Sequence, residues 1–490
     1  MANGNTGKAF YGDFYYINRR EDFSCILTCF VLQYVVAIKI WEKFDMSNKK
    51  DKYSGMNKRD ARHQKRVKSQ VRSYILLVVM LLAIGAGAFF GVRALSDVIK
   101  TAKEEAAVDT SEMIVQATTQ EETETEEETE TETVVEYTEE DLLNEVVDSC
   151  ISEMSIEDKV AGLFIVSPEQ LTGVDTVVKA GDGTKEALEK YPVGGIIYFS
   201  KNISSEDQIK EMLANTVSYS KYPIFLAIDE ELGEVARLRS ALKLDSVDSA
   251  SSVGETNDSN VAYENYKKIG EYLTAYGFNL DFAPVADVLI NEENSAIGER
   301  SFGSDASLVS NMVASSITGL KEAGVFSCVK HFPGQGAADG DTHEGMATSE
   351  RTAEEIKAEE ILPFTAGIEA GADMVMVGHF LAPSLTGDET TPCSLSKEVM
   401  TDLLRGEYQY DGVIITDALN MTAISEYYGA DEAAIKALKA GADMILMPED
   451  FEKAYNGVLE AVSDGTISEQ RINDSLSRVY RIKYRSTIEE

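Results

Sequence analysis

Histidine is scarce in this chain, with four residues among 490. Cysteine is nearly as rare, at five: Cys25, Cys29, Cys150, Cys328 and Cys393. The last three lie beyond the apolar N-terminal segments and have no paired spacing, which argues against a disulfide framework and against a zinc site. Basic residues are outnumbered, 45 against 84 acidic ones, leaving a formal net charge of −39. A nucleic-acid partner requires clustered Lys and Arg on the folded part, so no nucleic acid is expected. A Gly-rich phosphate loop is missing as well, and no Gly-x-Gly-x-x-Gly follows the first apolar run of the folded part. No metal and no cofactor are expected.

What is present falls into zones. Within the first 45 residues, Phe23 to Ile38 is uncharged but short for a bilayer span. It reads either as an interfacial piece or as a start placed too early, with Met46 or Met56 opening a more conventional leader. From Lys49 to Arg72 there are ten Lys or Arg against two Asp, and Tyr74 to Val92 then carries no charge at all. That run is long enough to span a bilayer as a helix. The basic flank precedes it, so the N-terminus is expected in the cytoplasm and everything after Arg93 outside. A cleaved signal peptide is the alternative, but the run exceeds a usual signal core and no small-x-small site ends it before Arg93. The next stretch is rich in Thr and Glu, typified by Glu121 to Thr129. Repelling carboxylates with few apolar residues cannot bury a core, so a disordered spacer is expected. The division is therefore a cytoplasmic segment at 1–73, a transmembrane helix at 74–92, a linker at 93–140 and a folded domain at 141–490.

In the folded part, apolar runs alternate with helical spacing. Eight candidate strands are Val160–Val166, Val193–Phe199, Pro223–Ile228, Asn279–Val288, Val325–His331, Asp373–Val377, Gly412–Thr416 and Asp443–Met447. They are apolar on both faces, as parallel strands covered by helices should be. Between them, Asn260–Tyr276, Ser307–Ala323, Thr352–Ala370 and Ala430–Ala440 have helical spacing, and Gly277, Gly324, Gly371 and Gly441 stand where helices should end. Strand, loop and helix repeated in this way predict a single (β/α)8 barrel of the TIM type, with a doubly wound open sheet as the alternative.

In such a barrel, chemistry belongs at the C-terminal ends of the strands. There the sequence places Asp229, Glu230 and Glu231 on the third strand, Asp287 on the fourth, Arg300 in the loop after it, Lys330 and His331 on the fifth, His379 on the sixth and Asp417 on the seventh. The stretch Lys330 to His343 contains two of the four histidines, breaks at Pro333, Gly334 and Gly336, and ends in Asp341-Thr342-His343. Plainer readings exist for each residue: an N-cap for Asp417, ion pairs for Arg300 and Lys330, a satisfied core histidine for His379.

The set suits a sugar. Asp229 can accept two hydroxyl hydrogen bonds, and Arg300, Lys330 and His331 can donate to hydroxyl or acyl oxygens. An oxocarbenium-like transition state needs a negative group beneath the anomeric carbon and a proton donor beside the leaving oxygen. Asp417 could supply the first. His343, oriented by Asp341, could supply the second, because an imidazole backed by a carboxylate titrates near neutrality.

At these residues the chain resembles glycoside hydrolase family 3, in its β-N-acetylglucosaminidase branch. The resemblance covers roughly 150–485 and rests on several stretches: Met154 to Val160, Gly194 to Phe199, Asn279 to Val288, Ile297 to Gly303, Lys330-His-Phe-Pro-Gly334 and Ile415-Thr-Asp-Ala-Leu-Asn-Met421. Singly each is weak; their order and spacing are specific. The resemblance implies a barrel and a retaining mechanism, with Asp417 as nucleophile and His343 with Asp341 as acid/base dyad. It further implies sugar binding by Asp229, Arg300, Lys330 and His331. Three features depart from the family pattern. Gln335 stands where the family usually has His. Leu232 and Glu234 replace a glycine and a basic residue in the third-strand motif. The residues between Gly336 and Asp341 also differ. The expectation is a monomeric, membrane-anchored, exo-acting β-N-acetylhexosaminidase outside the cell, acting on terminal N-acetylglucosamine of peptidoglycan-derived glycans. The rivals are a phosphorylase that transfers the sugar to phosphate and an inactive carbohydrate-binding sensor.

Overall fold

The computed structural model describes residues 138–488. The expected cytoplasmic segment, the transmembrane helix at 74–92 and nearly all of the linker lie outside the described residues. No helix among the described residues is long and apolar enough to cross a membrane. Folded structure begins slightly earlier than expected. Thr138 caps a helix at Glu139–Glu153 by accepting from the Asp141 N–H, and Asp141 returns a bond to the Thr138 N–H. Residues 139 and 140, expected in the linker, thus belong to a capped helix.

Eight strands form one parallel sheet: β1 (Phe164–Val166), β2 (Gly195–Tyr198), β3 (Phe225–Ile228), β4 (Leu280–Asp281), β5 (Phe326–Phe332), β6 (Met374–Val377), β7 (Val413–Thr416) and β8 (Ile445–Leu446). The order is β7-β6-β5-β4-β3-β2-β1-β8, and a parallel bridge between Ile415 and Met444 joins the two ends. The sheet is therefore a nearly closed barrel, and β3 and β7 stand opposite each other, four strands apart in the order. Every expected strand is present in sequence order, and all are shorter except the fifth, which keeps its length and is shifted by one residue. Val160 and Ala161 belong instead to a helix, Ile156–Ala161, capped by Ser155. The fourth strand stops at Asp281 because Pro284 has no N–H to give to a ladder. The helix expected over Thr352–Ala370 is two, Ala353–Ala358 and Leu362–Glu369, the second starting with Pro363 in its first turn.

Strand alternation sorts the core into two layers. Ile165, Ile197, Phe225, Ala227, Leu280, Phe282, Cys328, Met376, Ile415 and Leu446 belong to one cluster that fills the barrel. Leu226, Ile228, Val329, Val375, Val377 and Ile414 pack outward among the helices. The helix Glu469–Ile488 seals the N-terminal end and adds Val479 and Ile482 to the interior cluster. Its Lys483 enters the same end. There Nζ donates to the Gly194 carbonyl at 2.8 Å and lies 4.6 Å from the Phe225 ring centroid and 5.0 Å from that of Tyr480.

Burial pushes the Lys483 ammonium down to about 7. The unfolded chain then holds this proton more tightly, so the stability cost of charging Lys483 is complete below about pH 7 and disappears as pH rises toward the ordinary lysine value of about 10.4. Lys483→Met should therefore improve the melting temperature relative to wild type by more at about pH 6 than at about pH 9.5. An equal effect at both pH values, measured by thermal denaturation, would show that the lysine is unperturbed.

Candidate active site

The polar residues at the strand ends converge on one mouth. Asp229 follows β3 directly, and Glu231, two residues on, projects to the same side by strand alternation. Lys330, near the end of β5, reaches both. Its Nζ lies 2.9 Å from Asp229 Oδ1 and 2.7 Å from Glu231 Oε1. Arg300 comes in from the loop after β4 and grips Glu231 with Nε at 2.9 Å and Nη2 at 2.8 Å, while its Nη1 donates to the Ala296 carbonyl. Glu231 and Lys330 are buried, at 2% and 3% exposure, so these contacts form where water screens little. Burial alone would raise the Glu231 pKa, but Arg300 and Lys330 overcome it and hold the carboxyl well below its usual range. Burial alone would likewise discharge the two cations, but Asp229 and Glu231 raise the Lys330 pKa and Glu231 raises that of Arg300. Ion pairing and a role toward a ligand are not alternatives here. Lys330 has three N–H bonds, and its two carboxylates use two of them.

The rest of the mouth is positioned by a second carboxylate. Asp287, fully buried, pairs Oδ2 with His331 Nδ1 at 2.8 Å and accepts the Gln335 backbone N–H on Oδ1 at 2.6 Å. With Nδ1 carrying the proton toward Asp287, His331 has Nε2 left for a ligand. The same acceptor fixes the turn at Pro333–Gln335. Packing is tight there, since a Cβ at Gly336 would stand 2.0 Å from the Val288 carbonyl oxygen.

Asp417 follows β7, across the barrel from Asp229. Its N–H donates to the Val377 carbonyl, and its Oδ1 accepts from the Ala418 N–H at 2.7 Å. The N-cap reading fails, because the next helix, Thr422–Ser425, starts after Met421 and no side chain caps it. Burial works to raise the Asp417 pKa, but the rings of His379 and His331 when charged, the Ala418 N–H and Lys330 together lower it. His379 is satisfied: Nδ1 pairs with Ser394 Oγ at 2.7 Å and Nε2 with the Ala418 carbonyl at 2.9 Å. Burial lowers its pKa. It holds the backbone beside Asp417, as a core histidine does.

Asp341 and His343 form a pair, with His343 Nδ1 2.8 Å from Asp341 Oδ1 and the His343 N–H on the same oxygen. The imidazole is 66% exposed at the rim. Its loop is nevertheless attached to the β7 side, because the Ala423 N–H donates to the Thr342 carbonyl at 3.2 Å. The mouth thus brings Asp229, Arg300, Lys330 and His331 into one connected cluster with Glu231 and Asp287. The dyad and Asp417 are joined through backbone and are not in direct contact.

Sequence reasoning named Glu231 only as a strand-end acid and missed its place at the centre of the charges. The period-two spacing from Asp229 was the available signal. It also missed Arg237, whose guanidinium lies 3.7 Å from Asp229 Oδ2 and 5.7 Å from the Phe199 ring centroid, with a buried Nε that has no partner. Glu230, adjacent in sequence, faces the other way and accepts from the Leu238 and Arg239 N–H groups and the Tyr272 hydroxyl.

A parallel eight-stranded barrel with its ionisable side chains gathered at the C-terminal ends of the strands has the architecture of an α/β-barrel enzyme. Residues 155–482 match the glycosyl hydrolase family 3 N terminal domain. The chain belongs to that family and with it to the hydrolases that act on glycosidic bonds. Among its relatives, Beta-hexosaminidase A of Pseudoalteromonas piscicida is 31% identical over 325 residues, 61% of this chain and 54% of that protein. Beta-hexosaminidase LpqI of Mycobacterium tuberculosis is 31% identical over 340 residues, 67% of this chain and 83% of that protein. The structure of a glycoside hydrolase family 3 beta-N-acetylglucosaminidase from a Paenibacillus species superposes with a TM-score of 0.64 at 35% identity, covering 69% of this chain and 64% of that one.

Glu231→Gln should remove the charge that buried Lys330 and half-buried Arg300 share. Loss of one partner from a buried ion cluster typically costs about 3–5 kcal/mol. A fall in melting temperature accompanied by a loss of sugar affinity is therefore expected. Unchanged values in both measurements would mean that Arg300 and Lys330 find other partners.

Proposed function

We propose that this protein is an exo-acting β-N-acetylhexosaminidase that works with retention of configuration. The observation that carries the reading is the placement of Asp417 and the Asp229–Glu231–Lys330–Arg300 cluster on opposite walls of one mouth, with a His–Asp dyad tied to the Asp417 side. A terminal sugar would lie across this mouth. Asp229, Arg300, Lys330, His331 and Arg237 would bind its hydroxyl and acyl groups. Asp417 would attack the anomeric carbon to form a glycosyl-enzyme. His343, held by Asp341, would give its proton to the leaving oxygen and later take one from the attacking water. The relatives' names, beta-hexosaminidase and beta-N-acetylglucosaminidase, support N-acetylglucosamine as the sugar.

The N-terminal sequence supports the setting. A basic flank followed by the uncharged run Tyr74–Val92 would anchor the protein in the membrane with the barrel outside, held away by the acidic linker. Fragments of peptidoglycan are the proposed natural substrate.

Two measurements test this. Asp417→Ala should reduce hydrolysis of an aryl N-acetyl-β-glucosaminide by a factor on the order of 10⁴ or more, given what a covalent nucleophile supplies; retained turnover would end the proposed mechanism. Added phosphate should leave the product as free sugar, and appearance of the sugar 1-phosphate would identify a phosphorylase instead. The acid side of the pH profile supplies a third check. Only ionised Asp417 can attack, and its pKa is lowered, so kcat/KM should persist through mildly acid pH and fall only below the usual carboxylate range. A fall well above that range would assign the limb to another group.

A further inference from the structure

The loop that carries Asp341 and His343 lies at the rim, and between Ala338 and Ala347 only one of its residues, Thr342, is buried. Thr342 is 1% exposed and sits between the two dyad members. Its carbonyl accepts the Ala423 N–H from the β7 side. Its hydroxyl lies 3.3 Å from Gln335 Nε2, on a side chain that is itself 3% exposed. The Gln335 backbone is fixed twice over: its N–H is held by Asp287 Oδ1 at 2.6 Å, and its carbonyl takes Asn294 Nδ2 at 2.8 Å. Asp287 is the same carboxylate that orients His331.

These contacts make a chain from the sugar-binding side of the mouth to the dyad: Asp287, Gln335, Thr342, and then Asp341 and His343 on either side. An imidazole that is 66% exposed has little packing to hold it, so its position over a substrate depends on the backbone of its loop. At Thr342 the backbone carbonyl is held by the Ala423 N–H and the side-chain hydroxyl by Gln335 Nε2. The side-chain contact comes from Gln335. A neutral amide there can donate to a hydroxyl without changing charge.

We propose that Gln335 is a positioning residue for acid catalysis, acting through Thr342 to hold the Asp341–His343 pair over the leaving group. The inference rests on the glycosidase reading above and adds to it the group that sets the dyad's place. Removing the Gln335–Thr342 contact would leave sugar binding and attack by Asp417 in place, but would misplace the proton donor. Such a defect shows itself through the leaving group. A 2,4-dinitrophenolate departs as an anion and needs no proton, whereas a 4-methoxyphenolate must be protonated as its bond breaks.

The experiment measures kcat/KM of Gln335→Ala, Thr342→Val and the double variant on N-acetyl-β-glucosaminides of these two phenols. Each single change should lower kcat/KM on the methoxyphenyl substrate by about tenfold or more, part of the ~10²–10⁴ that a placed proton donor supplies, and by less than about twofold on the dinitrophenyl substrate. The double variant should be no worse than the weaker single one, because both break one contact. Thr342→Val keeps the buried volume, so it provides the reading if Gln335→Ala is too unstable to measure. Equal losses on both substrates would reduce Gln335 to a structural role and overturn the proposal, as would the absence of any loss. His343→Ala separates the levels. If wild type cleaves neither substrate, or His343→Ala shows no dependence on leaving group, the glycosidase or dyad reading has failed and this inference fails with it. If His343→Ala shows that dependence and the Gln335 and Thr342 variants do not, only this inference fails.

Discussion

Two cations, Lys330 and Arg300, share one buried carboxylate, Glu231, and the organisation of the mouth depends on that sharing. Isolated charges at such depth would discharge or disrupt the fold. Joined, they remain ionised and present their unused N–H bonds in fixed directions. Asp229 completes the arrangement by taking a further bond from Lys330, which leaves it beside Arg237 on its other oxygen. The result is a polar surface whose members come from three different strand ends and whose geometry is set before any ligand arrives. Preorganisation of this kind is what a sugar, rich in hydroxyls and poor in charge, needs for recognition.

Asp287 does comparable work without any formal ion pair to lysine or arginine. It accepts from His331 and from the Gln335 backbone, so one carboxylate sets both a ring and a turn. The turn in turn governs where the dyad loop begins. His331 and the Asp341–His343 loop are thus connected through the Asp287–Gln335 and Gln335–Thr342 hydrogen bonds, although the dyad itself stands at the rim in contact with solvent. His379 belongs to neither group. It secures the backbone next to Asp417 through the Ala418 carbonyl.

Much of this was legible in the chain. The eight apolar runs marked every strand because a strand buried on both faces must be apolar throughout, and the ionisable residues ending the third to seventh runs marked the mouth. Strand lengths were less legible, since ladders end where a proline, a cap or a turn interrupts them, as at Pro284 and Ser155. Helix breaks were also hidden: the spacing over Thr352–Ala370 is continuous, and the interruption comes from Pro363 and local packing. Among site residues, single ionisable positions could be named, but not who would pair with whom. Glu230 and Glu231 are chemically alike in the sequence, and only the alternation of the backbone sends one outward to Tyr272 and the other inward to Lys330. Arg237 was invisible because its partners, Phe199 and Asp229, come from two separate strand ends. Thr342 was overlooked because a threonine between two candidate catalytic groups looks like a spacer.

The strand order has one further consequence. Asp229 and Asp417 follow strands on opposite sides of a nearly closed ring of eight strands, so the gap between them is a property of the barrel's girth and not of any loop. Substitutions at the rim can reshape the loops around the mouth. They leave untouched the spacing of these two strand ends, which only a change in the intervening strands would alter.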